Sequence, residues 1–484
     1  MNKTRIIAGA IAFFGLAASA QAATMHLTPA DVQTNPAAIQ QAMNQLQPGE
    51  TLYLAGGSYT PSGAIPSYIG NTLDIRPSDT LNPRGRSGRA DAWITVRNEP
   101  GQKPVLNLGK NGAGGLAIVD ALYWRVEGLE LVAASDASSY ATGISTVSTS
   151  NGTAHHIQFV NNIVHGFGAS GFGVNNVSQV LIEGNTVYDN AHRSSNGASG
   201  ISLGGLSMKS TDNSNFAGTL GNPNNDYAMI VRNNKVYYNR NLYPDTDHGS
   251  NDLTDGNGII IDYCDETGFT GKTLVSNNVV YNNGGAGVHV FKSSNTDVFH
   301  NTLYQNGWLS NGTQLSSVGP LNGSGVTRIN RFFNNIAVGG NPNIQNGTYI
   351  NGGKTSGGNK GWQDGSGYAL VPQWDKNLFF NTSSTSFPSG SISGDPKFVK
   401  AQLDTTSAPA ADFHLSSGSP AINAGAASST TNVTTDHESK TRDSSPDIGA
   451  YEAVATATPT PTPTPTTGSY KVRFYPRRGW GSRM

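Results

Sequence analysis

Cysteine is almost missing from this chain of 484 residues: its one thiol, Cys264, cannot close an internal disulfide, so no cross-linked framework holds the fold together. The apolar neighbours of Cys264 predict a buried thiol. Charge is scarce too. Only 13% of residues are Asp, Glu, Lys or Arg and the formal net charge is −1, which excludes the general basic field that holds nucleic acid. An acidic polymer would have to be recognised by local charge. Long apolar runs are lacking, and the one at the N-terminus, Ile6 to Ala18, is too short to be a permanent membrane anchor. Lys3 and Arg5 precede it and Ala20-Gln21-Ala22 follows, the pattern of a signal peptide over 1–22. The mature chain is therefore expected to start at Ala23, secreted to the extracellular space or periplasm, with no membrane attachment after signal removal.

What the chain has instead is glycine, 59 residues of it, and a recurring phrase, Asn-x-Val/Leu-Tyr-x-Asn. The phrase starts at Asn185, Asn234, Asn278 and Asn301, with degenerate copies at Asn162 and Asn335. Successive starts are 23, 49, 44, 23 and 34 residues apart, a unit near 23 with insertions in some copies, and self-similarity at this period marks a solenoid. Short β-branched runs between Gly, Asn and Ser turns leave almost no room for helices. The fold class read from this is all-β, a right-handed parallel β-helix in which equivalent residues stack in columns about 4.8 Å apart. His165, Tyr188, Tyr237, Tyr281 and Tyr304 should form one such column and fill the coil, beside an Asn ladder at the turn. A second column of glycines is aligned as Gly143, Gly173, Gly200, Gly258, Gly287 and Gly325. Two positions after each Gly stand Ser145, Asn175, Ser202, Ile260, His289 and Thr327, a mostly polar set expected to face outward.

The rest of the chain is organised around this solenoid. Residues 23–50 read as an N-terminal cap, with Asn35 capping a helix, Pro36 at its first position and Ile39, Ala42, Met43 and Leu46 on its buried face. The β-helix proper is expected over 51–338, with a surface loop from Ser62 to Ala92 that carries Arg76, Arg84, Arg86 and Arg89. Residues 339–455 hold its C-terminal part and a closing segment that resembles those of secreted bacterial β-helix proteins. A Pro/Thr linker follows over 456–468, and 469–484 form a short basic and aromatic tail or the opening of an appended module. Three insertions, Ser207 to Tyr227, Arg240 to Asn257 and Trp308 to Ser324, flank one sheet, and loops confined to one face build a cleft on a repeat scaffold.

Chemistry concentrates there. Asp245, Asp247, Asp252 and Asp255 lie in the second insertion, with Asp262 on the strand behind it. Carboxylates among carbonyl-rich turns are hard oxygen ligands suited to Ca²⁺, although Asp residues also cap turns with no ion at all. One coil later His289 and Lys292 project from the equivalent strand. A lysine beside carboxylates is either half of an ion pair or a base with a lowered pKa.

With its helical cap, its Asn-Asn-x-Val-Tyr-x-Asn repeats, Asp255-Gly-Asn-Gly-Ile-Ile-Ile-Asp262 and Gly287-Val-His-Val-Phe-Lys-Ser293, the chain resembles the bacterial pectate lyase-like superfamily, most nearly its family nine type, over roughly Leu52 to Val338. The resemblance implies β-elimination on an acidic, uronate-containing polysaccharide. It also implies Ca²⁺ bound near a coil with Asp-Gly, matched by Asp255-Gly256, and a Lys that takes the proton next to the uronate carboxylate. Where the family has paired Asp residues, this chain has Asn283-Gly-Gly-Ala-Gly287. Such a lyase must neutralise the uronate carboxylate, remove the C5 hydrogen and release the C4 oxygen. Ca²⁺ on the acidic loop, or Arg232 and Arg328, would serve the first need, Lys292 the second, and His289 or His248 would assist departure. A monomer is expected. Two other classes stay open: a glycoside hydrolase, to which Asn295-Thr-Asp297 bears a superficial likeness without its companion motifs, and a non-catalytic carbohydrate-binding surface protein.

Overall fold

The computed structural model describes residues 24–61, 67–69, 72–74, 86–109, 114–135, 137, 139–148, 154–206, 227–247, 253–309, 315–318, 330–339, 350–352, 373–381, 390–401 and 411–453. Residues 1–23, expected to hold a signal peptide, most of the Ser62–Ala92 loop, residues 207–226 of the first insertion, and residues 454–484, expected to hold the linker and tail, lie outside these residues. Three parallel sheets, of eleven, eleven and eight strands, run the length of the described solenoid. Each full coil contributes one strand to each. Tyr227–Arg232 belongs to the first sheet, Lys235–Tyr237 to the second and Ile259–Asp262 to the third, before the path returns to the first with Lys272–Ser276. The fold is the right-handed β-helix expected from the repeat.

The turn between the first and second strands explains the phrase in the sequence. Its first residue is left-handed, at Asn161, Asn233, Asn277, His300 and Asn334, a conformation that Asn tolerates better than most residues. The next residue is the ladder Asn. Both the backbone N–H and the side-chain N–H of Asn234 donate to Oδ1 of Asn278, at 3.0 and 2.9 Å, while its second side-chain N–H donates back to the Ile182 carbonyl at 2.9 Å. The same pattern links Asn162, Asn185, Asn234, Asn278, Asn301, Asn335 and Asn377, and all seven are essentially fully buried. The closing Asn of the phrase builds a second ladder through Asn190, Asn239, Asn283 and Asn306.

Inside the coil the side chains are aliphatic. Val187, Val236, Val280 and Leu303 from the second sheet meet Leu203, Ile261 and Val290 from the third. The aromatic column therefore does not fill the coil, because strand alternation turns it outward. His165, Tyr188, Tyr237 and Tyr281 stack with centroid spacings of 4.6, 5.0 and 5.0 Å, and Tyr304 holds register with Tyr281. Phe413 of the closing segment packs on both Tyr281 and Tyr304. The same segment brings Arg442 and Glu452 into a buried ion pair at 3.0 Å, and Arg442 also donates to Asn277 Oδ1 at 3.0 Å.

Three further expectations need correction. Gly171, not Gly173, is the partner of Gly143 and Gly200, since Ile144 pairs with Phe172 and Phe172 with Ile201. The reason is steric: a Cβ on Gly143 would lie 2.7 Å from the Gly171 carbonyl oxygen, and one on Gly171 would lie 2.8 Å from that of Gly200. Hence Gly173, not Asn175, shares a column with Ser145 and Ser202. The insertion from Trp308 also contains a third-sheet strand, Leu315–Val318, paired with Val288–Phe291, whereas Gly325 and Thr327 lie outside the described residues. Finally, Asn35 does not start the helix Ala38–Gln45, whose N-cap is Ala37. It ends a preceding helix, Pro29–Thr34, and its Oδ1 accepts the Ala37 N–H at 3.2 Å. The expected face is buried all the same, with Ile39, Ala42, Met43 and Leu46 in one core cluster with Leu52 and Leu54. The first sheet itself begins upstream of Thr51, at Thr24–Leu27.

Replacing Asn234 by Ala would strand the donors of Asn185 in a dry core. Unfolding in urea is expected to show a loss of about 1–3 kcal/mol, the range for buried polar groups left unsatisfied, and a loss below about 0.5 kcal/mol would mean that the rung is replaceable.

Candidate active site

The outer face of the third sheet presents two columns. One runs through Ser145, Gly173, Ser202, Ile260 and His289, the other through Val147, Asn175, Gly204, Asp262 and Phe291. The insertion that starts at Arg240 enters from the second-sheet side and is tied back onto earlier coils. Asp247 N–H donates to the Ser195 carbonyl at 3.2 Å and Gly256 N–H to that of Ala198 at 2.7 Å. The Tyr140 hydroxyl reaches Asp247 Oδ2 at 3.2 Å. Around this edge Tyr140, Leu242, Tyr243 and Leu253 are exposed.

The five predicted acidic ligands do not all meet. Asp245 and Asp255 do converge: a Cβ on Gly197 would lie 2.4 Å from Asp255 Oδ2 and 3.9 Å from Asp245 Oδ2, so both carboxylates reach the space beside that glycine. Asp255 itself is left-handed, with φ of 59°, an unusual conformation for a residue with a side chain. Its Oδ1 accepts the Asn257 amide at 3.0 Å. Asp247 is turned to Tyr140, and Asp262 sits at the far end of the strand Ile259–Asp262, beside Phe291. Asp252 lies outside the described residues, as do His248 and Arg328. No group of three His, Cys, Asp or Glu side chains among the described residues is arranged to hold a metal ion. Two carboxylates at one cradle suit a hard divalent cation as part of its shell, which needs six to eight oxygens in all for Ca²⁺.

The glycines that replace the expected paired acids have a clear steric reason. A Cβ on Gly285 would lie 2.2 Å from the Asp255 carbonyl oxygen, and one on Gly284 would lie 2.9 Å from both Arg240 Cβ and Leu309 Cδ1. The insertion packs directly on this turn.

At the other edge of the sheet, Lys292 follows the strand Val288–Phe291 in a left-handed conformation. Asp120, Asn176, Gly205 and Tyr263 take the same conformation after their own third-sheet strands. Its Nζ lies 3.2 Å from Glu266 Oε1 and 4.1 Å from the centroid of the Tyr263 ring. Asp262, the carboxylate expected beside it, is thus not the partner of this ion pair. Tyr263 and Glu266 were not singled out in the sequence, although both stand in Asp262-Tyr-Cys-Asp-Glu266; only the stacking of left-handed turns shows that they border Lys292. His289 packs edge-on against Phe291, and its Nε2 is buried with no hydrogen-bond partner among the described residues. Burial pushes its pKa down to about 4, so the imidazole is neutral at pH 7.

Arg232 is not part of this face. It ends a first-sheet strand and binds Glu183 through Nε at 2.8 Å and a terminal nitrogen at 3.2 Å. Asp297, on the same sheet, is almost wholly buried and engaged by Lys272 at 2.9 Å, Arg331 Nε at 2.7 Å and the Tyr227 hydroxyl at 2.7 Å, which is a structural network. Cys264 is buried, as its neighbours predicted, and burial raises its thiol pKa to about 12.

Installing an acid where the resemblance calls for one should fail. Gly285→Asp is expected to lower the thermal midpoint by several degrees, because the clash is with backbone; an unchanged midpoint would show that the insertion yields freely.

The sequence matches the family described as Pel9A-like, right-handed beta helix region, over residues 21–324. Among solved structures, pectate lyase Pel9A is 17% identical, with 89% of this chain and 96% of that one covered and a TM-score of 0.48. An alginate lyase from Paenibacillus sp. str. FPU-7 is 15% identical, covering 77% and 98%, with a TM-score of 0.44. A rhamnogalacturonan lyase is 12% identical, covering 81% and 96%, with a TM-score of 0.40. No curated protein matches the chain, and no helix among the described residues is long and apolar enough to cross a membrane. The family match spans well over half of the sequence and takes in the Asn ladder as far as Asn301, the Asp245–Asp255 cradle and the strand that carries His289, so the chain belongs to the Pel9A-like right-handed β-helix family.

Proposed function

We propose that this protein is a secreted polysaccharide lyase that cleaves a uronate-containing polymer by β-elimination along the outer face of the third sheet. The observation that carries this reading is the composition of that face. One edge gathers the carboxylates Asp245 and Asp255 at a shared cradle, the opposite edge carries the ammonium of Lys292, and a neutral imidazole, His289, stands on the strand between them. Elimination next to a uronate carboxylate needs positive charge to stabilise the anion that develops at C5, and a proton acceptor close by. Family membership and the naming of pectate, alginate and rhamnogalacturonan lyases among similar folds support the same reaction class.

Asp245 and Asp255 are the residues that would hold a Ca²⁺ ion, and such an ion, when bound, supplies positive charge for the substrate carboxylate. The chain's own residues do the rest. Tyr140 and Tyr243 are exposed around the insertion, where aromatic surface can meet sugar rings. The crowded backbone at Gly284 and Gly285 fixes the floor under the insertion. The engagement of Asp297 by Lys272 and Arg331 removes it as one of the two carboxylates that a hydrolase would need.

Incubating the protein with pectate, alginate and other uronate polysaccharides is expected to raise absorbance near 235 nm as unsaturated uronides form. EDTA should suppress the rate and added Ca²⁺ restore it, with Asp255→Ala shifting restoration to higher Ca²⁺. New reducing ends without that absorbance would indicate hydrolysis instead, and the absence of both signals would favour a binding protein.

A further inference from the structure

The surroundings of Lys292 carry an assignment of their own. Its nitrogen is engaged as a charged donor, 3.2 Å from Glu266 Oε1 and over the faces of Tyr263 at 4.1 Å and Phe291 at 5.2 Å. A general base must instead offer a free lone pair to the proton it removes. The lysine side chain is only 15% exposed, whereas that of Glu266 is 43% exposed. The backbone on the N-terminal side of Glu266 is pinned: Cys264 N–H donates to Ser293 Oγ at 3.1 Å, Asp265 N–H to the Lys292 carbonyl at 3.2 Å, and the Ser294 hydroxyl to Asp265 Oδ1 at 2.7 Å. A half-buried, aromatic-lined ammonium is thus closed by a more exposed carboxylate on a fixed backbone.

We propose that Lys292, Tyr263, Phe291 and Glu266 form a carboxylate-binding subsite, in which Lys292 holds a uronate carboxylate and Glu266 is the resident carboxylate that the substrate displaces. The assignment rests on the lyase reading and changes the role of Lys292 within it, from proton acceptor to substrate clamp. The exchange is physically easy. One carboxylate replaces another on the same ammonium, so no bare charge is exposed during binding, and the ring faces keep the ammonium in place throughout. A neutral or esterified sugar offers no such replacement, so the subsite selects for the free acid.

Steady-state kinetics on polygalacturonate and polymannuronate, followed at 235 nm, separate the two roles. A clamp predicts that Lys292→Arg keeps kcat/KM within about tenfold of the wild type, because charge is retained. Lys292→Met should raise KM by about tenfold to a hundredfold, the value of a hydrogen bond between charged groups, and Glu266→Gln should lower KM by about two- to fivefold, as expected when an exposed ion pair no longer competes. The subsite is overturned if Lys292→Arg and Lys292→Met both lose about 10² to 10⁴ in kcat at unchanged KM, the pattern of a lost base, or if Glu266→Gln leaves KM unmoved. Circular dichroism melts of each variant show whether the fold is intact. If the wild type forms no unsaturated product, the lyase reading fails on its own. Calorimetric binding of trigalacturonate and trimannuronate to wild type and Lys292→Met then decides the subsite, with equal affinity refuting it and weaker binding to the variant supporting it.

Discussion

The structure depends on how a buried asparagine satisfies its neighbours. Each rung of the main ladder uses one Oδ1 to accept two donors from the preceding coil, and one Nδ2 to reach both the next rung and a carbonyl behind it. Unmade hydrogen bonds in a dry core cost more than made ones contribute, so the ladder works chiefly by enforcing register. A strand that slipped by one residue would leave every donor at that turn without its acceptor and turn its aliphatic face to water. The glycine column acts in the same sense through sterics, since any side chain there would strike the carbonyl of the next coil.

These two devices are also what made the fold legible. Asn at fixed spacing, Val or Leu two positions after it and Tyr three positions after it spell out one turn and one strand, and repetition states that the strands stack. Legibility failed where one coil carried two similar signals. Gly171-Phe-Gly173 offers two glycines two residues apart, and only the carbonyl contact of Gly143 with Gly171 distinguishes them. The tyrosines were placed in the right register on the wrong side of the strand, because a Tyr column looks like core until Phe413 and its neighbours, more than a hundred residues later, are seen to cover it.

The candidate site was less legible for a related reason. Its residues occupy turns and insertions, where side-chain direction follows from local backbone rather than from strand alternation. Asp245 and Asp255 meet beside Gly197, from an earlier coil, and nothing in the acidic stretch itself points to that glycine. Lys292 was read as one coil away from Asp262, which is so in register, yet the left-handed turn sends its ammonium to Glu266 and Tyr263. Arg232 carried the right charge on the wrong sheet.

The closing segment has a consequence for how the molecule is made. Coils of a solenoid contact only their neighbours and can assemble as they emerge during synthesis, but the strap that hides Tyr237 and Tyr281 contains Phe413, Ala450 and Tyr451 and is made long after the strands it covers. Until it arrives, a nascent chain displays a continuous stripe of stacked tyrosines beside finished coils. That stripe is a transient sticky surface, so a stalled or clipped chain that ends before Phe413 would keep its coils and lose its solubility.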